Sequence, residues 1–148
     1  NRDLIEKGFM PRQQGMLALS RASISLLCSN SEEEVQNAEL TQLMVKESLR
    51  HSAWTLASES GYLLHANFQL ATEIGALLDF QEERYQAIVE LVYDAVYEHD
   101  SGVGDSPVDY YLNVSNLLTE WIGQTDYLRR KYGDLFARED FSGLPCEA

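Results

Sequence analysis

The chain has 148 residues, of which 45% are hydrophobic and 24% charged, and its formal net charge is −13. This length and apolar content suit one folded domain with its own core and argue against a disordered chain. The negative charge predicts no direct binding to nucleic acid and none to membranes, because nucleic acids and anionic lipids would repel it.

The two cysteines give no sign of a disulfide framework or of a cysteine-rich zinc site. Cys28 lies in an apolar helical run and Cys146 in a polar C-terminal stretch. This usage predicts a reducing compartment, with the cytoplasm as the default. No run of residues approaches the roughly 18 consecutive apolar residues of a membrane span.

Helix signals recur along the chain, whereas strand-like alternation and hairpin turn sequences are not convincing anywhere. Ser31 with Glu34, and Ser106 with Asp109, form capping boxes that begin helices. The predicted helices cover residues 11–28, 32–59, 62–78, 80–99, 107–122 and 125–132. The third and fourth can form one helix bent near residues 78–80. Glycines fall where helices are predicted to end, at Gly61, Gly102, Gly123 and Gly133.

The short connections between these helices favour antiparallel neighbours. The sequence therefore predicts an all-α fold, a single-domain bundle of five or six mostly antiparallel helices. This domain is expected to span residues 1–148, with a short flexible lead at residues 1–10 and a flexible tail from about residue 134 to residue 148.

Acidic residues are concentrated in one third of the chain. Between Asp79 and Asp126 there are eleven acidic residues and one basic residue. At 100° per residue, four of the acids share one narrow stripe on the predicted fourth helix, which we call the acidic seam. Its members are Glu83, Glu90, Asp94 and Glu98. The seam is either the solvent-facing side of a central helix or a surface that docks a cation or a basic partner.

The predicted second helix carries two polar residues in the middle of its apolar face. Glu47 and His51 are four positions apart, a spacing at which a carboxylate and an imidazole can touch on a helix. The pair is either structural or a ligand pair for a divalent metal. Asp94 is the third candidate ligand in that metal hypothesis.

Motifs typical of metalloenzymes and nucleotide enzymes are mostly absent. No histidine follows a glutamate at the Glu-x-x-His spacing of di-iron bundles, and the acidic loop from Asp100 lacks EF-hand spacing. Neither a Walker loop nor a nucleophile elbow occurs. The dipeptide formed by His99 and Asp100 resembles the metal-binding pair of HD-type phosphohydrolases, an all-helical family, and the resemblance ends at these two residues.

Clustered positive charge occurs at residues 129–131, in a stretch with several aromatic residues. Tyrosine, tryptophan and arginine are enriched at protein interfaces. Tyr110, Trp121, Arg129 and Arg130 are therefore candidate interface residues, with burial in the core as the alternative for the two aromatic ones. A basic cluster that meets the acidic seam of a second subunit predicts a homodimer.

The favoured function is a non-enzymatic interaction or regulatory protein, without a cofactor, that binds a basic protein surface and self-associates. An inhibitor, an immunity protein or a nucleic-acid mimic would be an example. One alternative is a metal-dependent hydrolase with a carboxylate and histidine site in the bundle. The other is a small-molecule sensor with an apolar cavity between helices, lined by Met44, Trp54 and Phe68.

Overall fold

The computed structural model describes residues 1–29, 37–65, 67–97 and 106–138, and these residues form an all-α bundle without strands. The helices are α1 (Met10–Cys28), α2 (Asn37–Leu43), α3 (Ser52–Glu59), α4 (Phe68–Phe80), α5 (Gln86–Tyr97) and α6 (Pro107–Phe136). Shorter turns are π-helical at Leu4–Phe9 and Gln81–Tyr85, and 3-10 helical at Tyr62–His65.

Helix α6 is the element against which α1 and α5 pack. Ser20 of α1 contacts the first turns of α6, whereas Asn1, ahead of α1, bonds to Tyr132 near the end of α6. Helix α1 therefore runs antiparallel to α6. The core between them is continuous, and its fully buried side chains include Met16, Val92, Leu118 and Trp121. The predicted all-α bundle is confirmed.

The start of α6 follows the predicted capping chemistry. The Ser106 hydroxyl accepts a hydrogen bond from the Asp109 amide at 3.2 Å, and Pro107 occupies the first turn. The predicted end of this helix at Gly123 is wrong, because α6 continues through Gly123 to Phe136. Burial of Leu128 and other side chains beyond Gly123 outweighs the weak helix propensity of glycine there.

The predicted N-terminal lead is also wrong. Residues Leu4–Phe9 form a π-helical turn that buries Ile5 and Phe9. This turn leads directly into α1, so the first ten residues belong to the bundle. Of the predicted tail, residues 134–136 are the end of α6, and residues 139–148 lie outside the described part of the chain.

The predicted helix at residues 32–59 is interrupted. Helix α2 ends at Leu43 and α3 begins at Ser52, and the non-helical segment at residues 44–51 is called the strap below. The strap buries Met44, Glu47 and Leu49 against the bundle. These tertiary contacts outweigh local helix propensity. The predicted cap at residues 31–34 lies outside the described ranges.

The other predicted boundaries agree in part. Helices α4 and α5 are continuous through the π-helical turn Gln81–Tyr85, which directly follows residues 78–80, where a bend was predicted. Gly61 follows α3 with a φ of 76°, a left-handed conformation that glycine adopts without steric cost. Helix α4 begins at Phe68 instead of residue 62, because Asn67 caps it by accepting from the Leu70 amide.

Substituting Ser20 with leucine is expected to destabilise the protein, because α1 and α6 approach closely there. The Ser20 hydroxyl is buried, lies 2.7 Å from the Ser115 hydroxyl and donates to the Tyr111 carbonyl at 3.0 Å. An inserted side chain would overpack the contact and remove these bonds, at a cost of about 1–3 kcal/mol. Urea unfolding measures the loss.

The matched control for this substitution is Ser25→Leu. Ser25 is on the same helix, but it is exposed and bonds only locally to the Arg21 carbonyl. We expect its free energy of unfolding to change by less than about 0.5 kcal/mol. Equal losses for the two variants would contradict a close contact between α1 and α6 at Ser20.

Candidate functional site

Three residues of the acidic seam lie on one exposed side of the bundle. Glu83 is in the π-helical turn, and Glu90 and Asp94 follow on α5. The opposite side of the same helix supplies buried core residues, namely Ile88, Val89, Val92 and Val96. The apolar face therefore anchors α5 and directs the seam to solvent. Glu98, the fourth predicted seam residue, lies outside the described ranges.

The seam carboxylates have no cationic partner among the described residues. All eleven lysines and arginines of the chain fall within those residues, and none forms an ion pair with Glu83, Glu90 or Asp94. The polar contact that Glu90 makes is a long one, from the Gln86 amide at 3.4 Å. The negative charge of the seam is therefore not neutralised within the described chain.

An exposed apolar side chain lies beside the seam. Leu91 is 55% exposed and follows Glu90 on α5, next to the stripe of acids on the same helix. Exposed leucines are common on protein surfaces, so this residue alone indicates nothing. Beside unpaired carboxylates, however, it provides the apolar contact that protein interfaces combine with a polar rim.

The candidate interface residues separate into two groups. Tyr110 and Trp121 are buried in the core, 6% and 0% exposed, and so form no surface on this chain. Arg129 and Arg130 are at the surface, and both contact the Asp126 carboxylate, at 2.8 and 3.1 Å. The hydrogen bond from Arg129, and then the charge of both guanidinium groups, lowers the pKa of Asp126.

The strap inserts the Glu47 carboxylate into the bundle. Gln13 Nε2 of α1 donates to Glu47 Oε2 at 2.9 Å, and the Tyr85 hydroxyl of the π-helical turn donates to the same oxygen at 2.7 Å. Arg12 Nη1 lies 3.6 Å from the other carboxylate oxygen, Oε1. Thr125 of α6 closes the cluster with its hydroxyl 3.5 Å from the Tyr85 hydroxyl. The strap, α1 and the π-helical turn thus meet at one carboxylate, and α6 joins the cluster through Tyr85.

Burial dominates the titration of the Glu47 cluster. Desolvation raises the pKa of Glu47 to about 7, although the hydrogen bonds from Tyr85 and Gln13 and the charge of Arg12 favour the ionised form. Burial, followed by the neighbouring charge of Glu47, raises the pKa of Tyr85 well above its usual value. Tyr85 therefore stays a neutral hydrogen-bond donor while Glu47 changes protonation near neutral pH.

The structure does not bring the candidate metal ligands together. Glu47 is buried, whereas His51 is exposed and pairs with Glu82, whose carboxylate lies 3.5 Å from its Nε2. Asp94 belongs to the exposed seam. The predicted contact between Glu47 and His51 is wrong because the strap is not helical. The described ranges contain no group of three His, Cys, Asp or Glu residues placed to hold a metal ion.

The predicted apolar cavity does not form around its three named residues. Met44 is buried in the strap, but Phe68 is 85% exposed. Trp54 packs instead near Gly75 of α4, where an added Cβ would lie 3.5 Å from its ring. A different pocket of about 240 Å³ lies between the strap and the π-helical turn, and Ser48, His51, Gln81, Glu82 and Tyr85 are among its lining residues.

Sequence reasoning missed the partners of Glu47. In the sequence, Tyr85 falls on the apolar arc of the predicted fourth helix, the side opposite the acidic seam, and no pattern marks Gln13. A weak signal was present, because a tyrosine at the edge of a buried arc needs a partner for its hydroxyl, and Glu47 was the acid placed on an apolar face. The chain separation of 38 residues hides the pairing from any local pattern.

Comparison of the chain with protein families, with curated proteins and with solved structures finds no match. Within the described residues, no helix is both long enough and apolar enough to cross a membrane.

Proposed function

We propose that this protein is a non-enzymatic interaction protein that binds a basic surface of another protein through its acidic seam. The observation that carries the proposal is the set of three exposed carboxylates, Glu83, Glu90 and Asp94, without a cation partner among the described residues. Leu91 supplies an apolar contact beside these carboxylates.

The electrostatics of α5 favour such a partner. Glu90 and Asp94 are four positions apart, and like charges at this spacing destabilise a helix by about 0.2–0.5 kcal/mol. Lysine or arginine side chains of a partner would relieve this repulsion on binding. The net charge of −13 would also accelerate the approach of a basic surface at low salt.

An inhibitor, an immunity protein or a nucleic-acid mimic is one form that this function can take. Each would cover a basic surface that otherwise binds nucleic acid, so a mimic and nucleic acid would compete for the partner. A homodimer and a cytoplasmic location stay predictions. Arg129 and Arg130 pair with Asp126 of their own chain, and their place in a dimer interface also stays a prediction.

Neither alternative function is favoured by the geometry. The metal-dependent hydrolase needs Glu47, His51 and Asp94 in one place, and they occupy three different environments. The small-molecule sensor needs an enclosed apolar cavity, and Phe68 of the predicted lining is exposed to solvent.

Reversing the seam charges is expected to weaken binding to a cationic probe. The test variant is Glu83→Lys/Glu90→Lys/Asp94→Lys, and the probe is a fluorescent lysine-rich peptide titrated in low salt. Three exposed pairs of about 0.2–1 kcal/mol each, replaced by repulsion, predict a loss of affinity of about tenfold or more. Fluorescence anisotropy measures the dissociation constant.

The control variant, Glu59→Lys/Glu120→Lys/Asp134→Lys, changes the net charge by the same amount at exposed residues elsewhere. It is expected to keep most of the affinity. If both variants lose affinity equally, binding depends on net charge alone and the seam is not a defined site. Circular dichroism checks that both variants are folded.

A further inference from the structure

The sequence of the strap is compatible with a helix, but the strap is not helical in the structure. Residues 37–59 contain no glycine or proline, and the segment continues a helix on either side. Within the described chain, the amides of residues 45–49 donate no hydrogen bond, and neither do their carbonyl groups accept one. A continuous helix would pair these groups, so the non-helical strap is maintained by contacts outside itself.

Side chains from other segments supply those contacts. Glu47 is held by Gln13 and Tyr85, and among the described residues Arg12 is the cation that forms an ion pair with it, at 3.6 Å from its Oε1. At the C-terminal end of the strap, the Asn1 side chain forms two hydrogen bonds with the backbone of Arg50. Its Oδ1 accepts from the Arg50 amide at 3.0 Å and its Nδ2 donates to the Arg50 carbonyl at 2.9 Å.

The Glu47 contacts are incomplete. Its Oε1 accepts no hydrogen bond, and in the same cluster the Gln13 Oε1 also has no partner. Each buried polar atom left unpaired costs about 1–3 kcal/mol. An arrangement that exposes Glu47 to water would hydrate these oxygens, and this gain opposes the burial of Met44 and Leu49 that favours the strap.

Helix α3 packs sparsely on the bundle. It contributes no buried residue to the core, its Leu56 is 68% exposed, and Trp54, near Gly75 of α4, is the contact that would have to shift with the strap. A helix advances about 1.5 Å per residue, the shortest rise among the common backbone conformations that a non-helical segment adopts. Winding the strap into a helix would therefore change the position of α3 relative to α2, which the sparse packing of α3 permits.

We propose that the strap is a latch. In the latched state Glu47 fastens residues 44–51 across α1 and the π-helical turn, and in the released state α2, the strap and α3 join into one helix over residues 37–59. Release moves α3 and opens the Glu47 cluster to solvent. The chain thereby holds two conformations of one segment, and any partner that binds one of them better shifts the balance.

Backbone chemical shifts test the latch directly. In Glu47→Ala the fastening carboxylate is gone, and the 13Cα shifts of residues 45–50 are expected to move to helical values. The control is Ser48→Ala, at an exposed neighbouring residue that makes no described hydrogen bond. Its alanine raises helix propensity by a similar amount, so its strap shifts are expected to stay non-helical.

A pH titration of the unmodified protein keeps the test decisive if Glu47→Ala does not fold. Ionisation of Glu47 opposes its burial, so the strap shifts are expected to move toward helical values as the Glu47 carboxyl shift titrates. Strap shifts that stay constant through this titration would overturn the latch. So would a folded Glu47→Ala variant that has a non-helical strap, or a Ser48→Ala variant that changes as much.

Discussion

The substitution Glu47→Gln is expected to remove most of the pH dependence of stability between about pH 5 and pH 8. Burial raises the pKa of Glu47 from 4.5 to about 7, and glutamine has nearly the same shape without a titrating proton. At about 1.4 kcal/mol for each tenfold change in proton affinity, the linked loss of stability in the unmodified protein is about 3 kcal/mol.

The direction of this effect follows from proton binding. Between the two pKa values the folded protein holds a proton on Glu47 that the unfolded chain has released. Its contribution to stability is fully present below about pH 4.5, and it is lost as the pH rises through about 7. At pH 8 the Glu47→Gln variant should therefore be more stable than the unmodified protein, less the lost attraction between Glu47 and Arg12.

Urea unfolding at pH 5, 6, 7 and 8 measures the difference between the two proteins. At each pH, the free energy of unfolding of the unmodified protein is subtracted from that of the variant, because self-repulsion in a chain of net charge −13 also grows with pH in both proteins. The control is Glu83→Gln, which makes the same chemical change at an exposed carboxylate. If Glu47→Gln and the unmodified protein lose stability in parallel from pH 5 to pH 8, Glu47 is not a buried titrating group.

The fold could be predicted where local pattern and packing agree. Helix α5 has a contiguous apolar face opposite its acids, and the structure buries that face in the core. The Ser106 cap at the start of α6 depends on neighbours three residues away, which the sequence displays. Both features are encoded within a few turns of chain, and both are confirmed.

The strap could not be predicted because its cause is distant in sequence. Local propensity favours a helix across residues 44–51, and the competing contacts come from Gln13 and Asn1 on one side and Tyr85 on the other. The wrong helix also led to a wrong prediction for the site. A helical spacing of four placed Glu47 beside His51, whereas the non-helical strap buries the first and exposes the second.

Among substitutions in this chain, truncating Trp121 is expected to cause the largest loss of stability. It is 0% exposed in the middle of α6 and is the largest of the fully buried side chains. Its carbonyl also accepts from the Thr125 hydroxyl at 2.9 Å, beside the Glu47 cluster. Truncating a buried tryptophan to alanine costs about 3–5 kcal/mol through lost burial and the remaining cavity.

Trp121→Ala therefore distinguishes a core residue from an interface residue. Truncating a core residue lowers the free energy of unfolding of a single chain by the same amount at every protein concentration. Truncating an interface residue weakens the association of chains, so its effect depends on protein concentration. The control, Leu112→Ala, removes a 45% exposed side chain from the same helix and should cost less than about 1 kcal/mol. If Trp121→Ala is too unstable to fold, Trp121→Phe is expected to show an intermediate loss. If Trp121→Ala loses as little stability as Leu112→Ala, burial of Trp121 in the core would be contradicted.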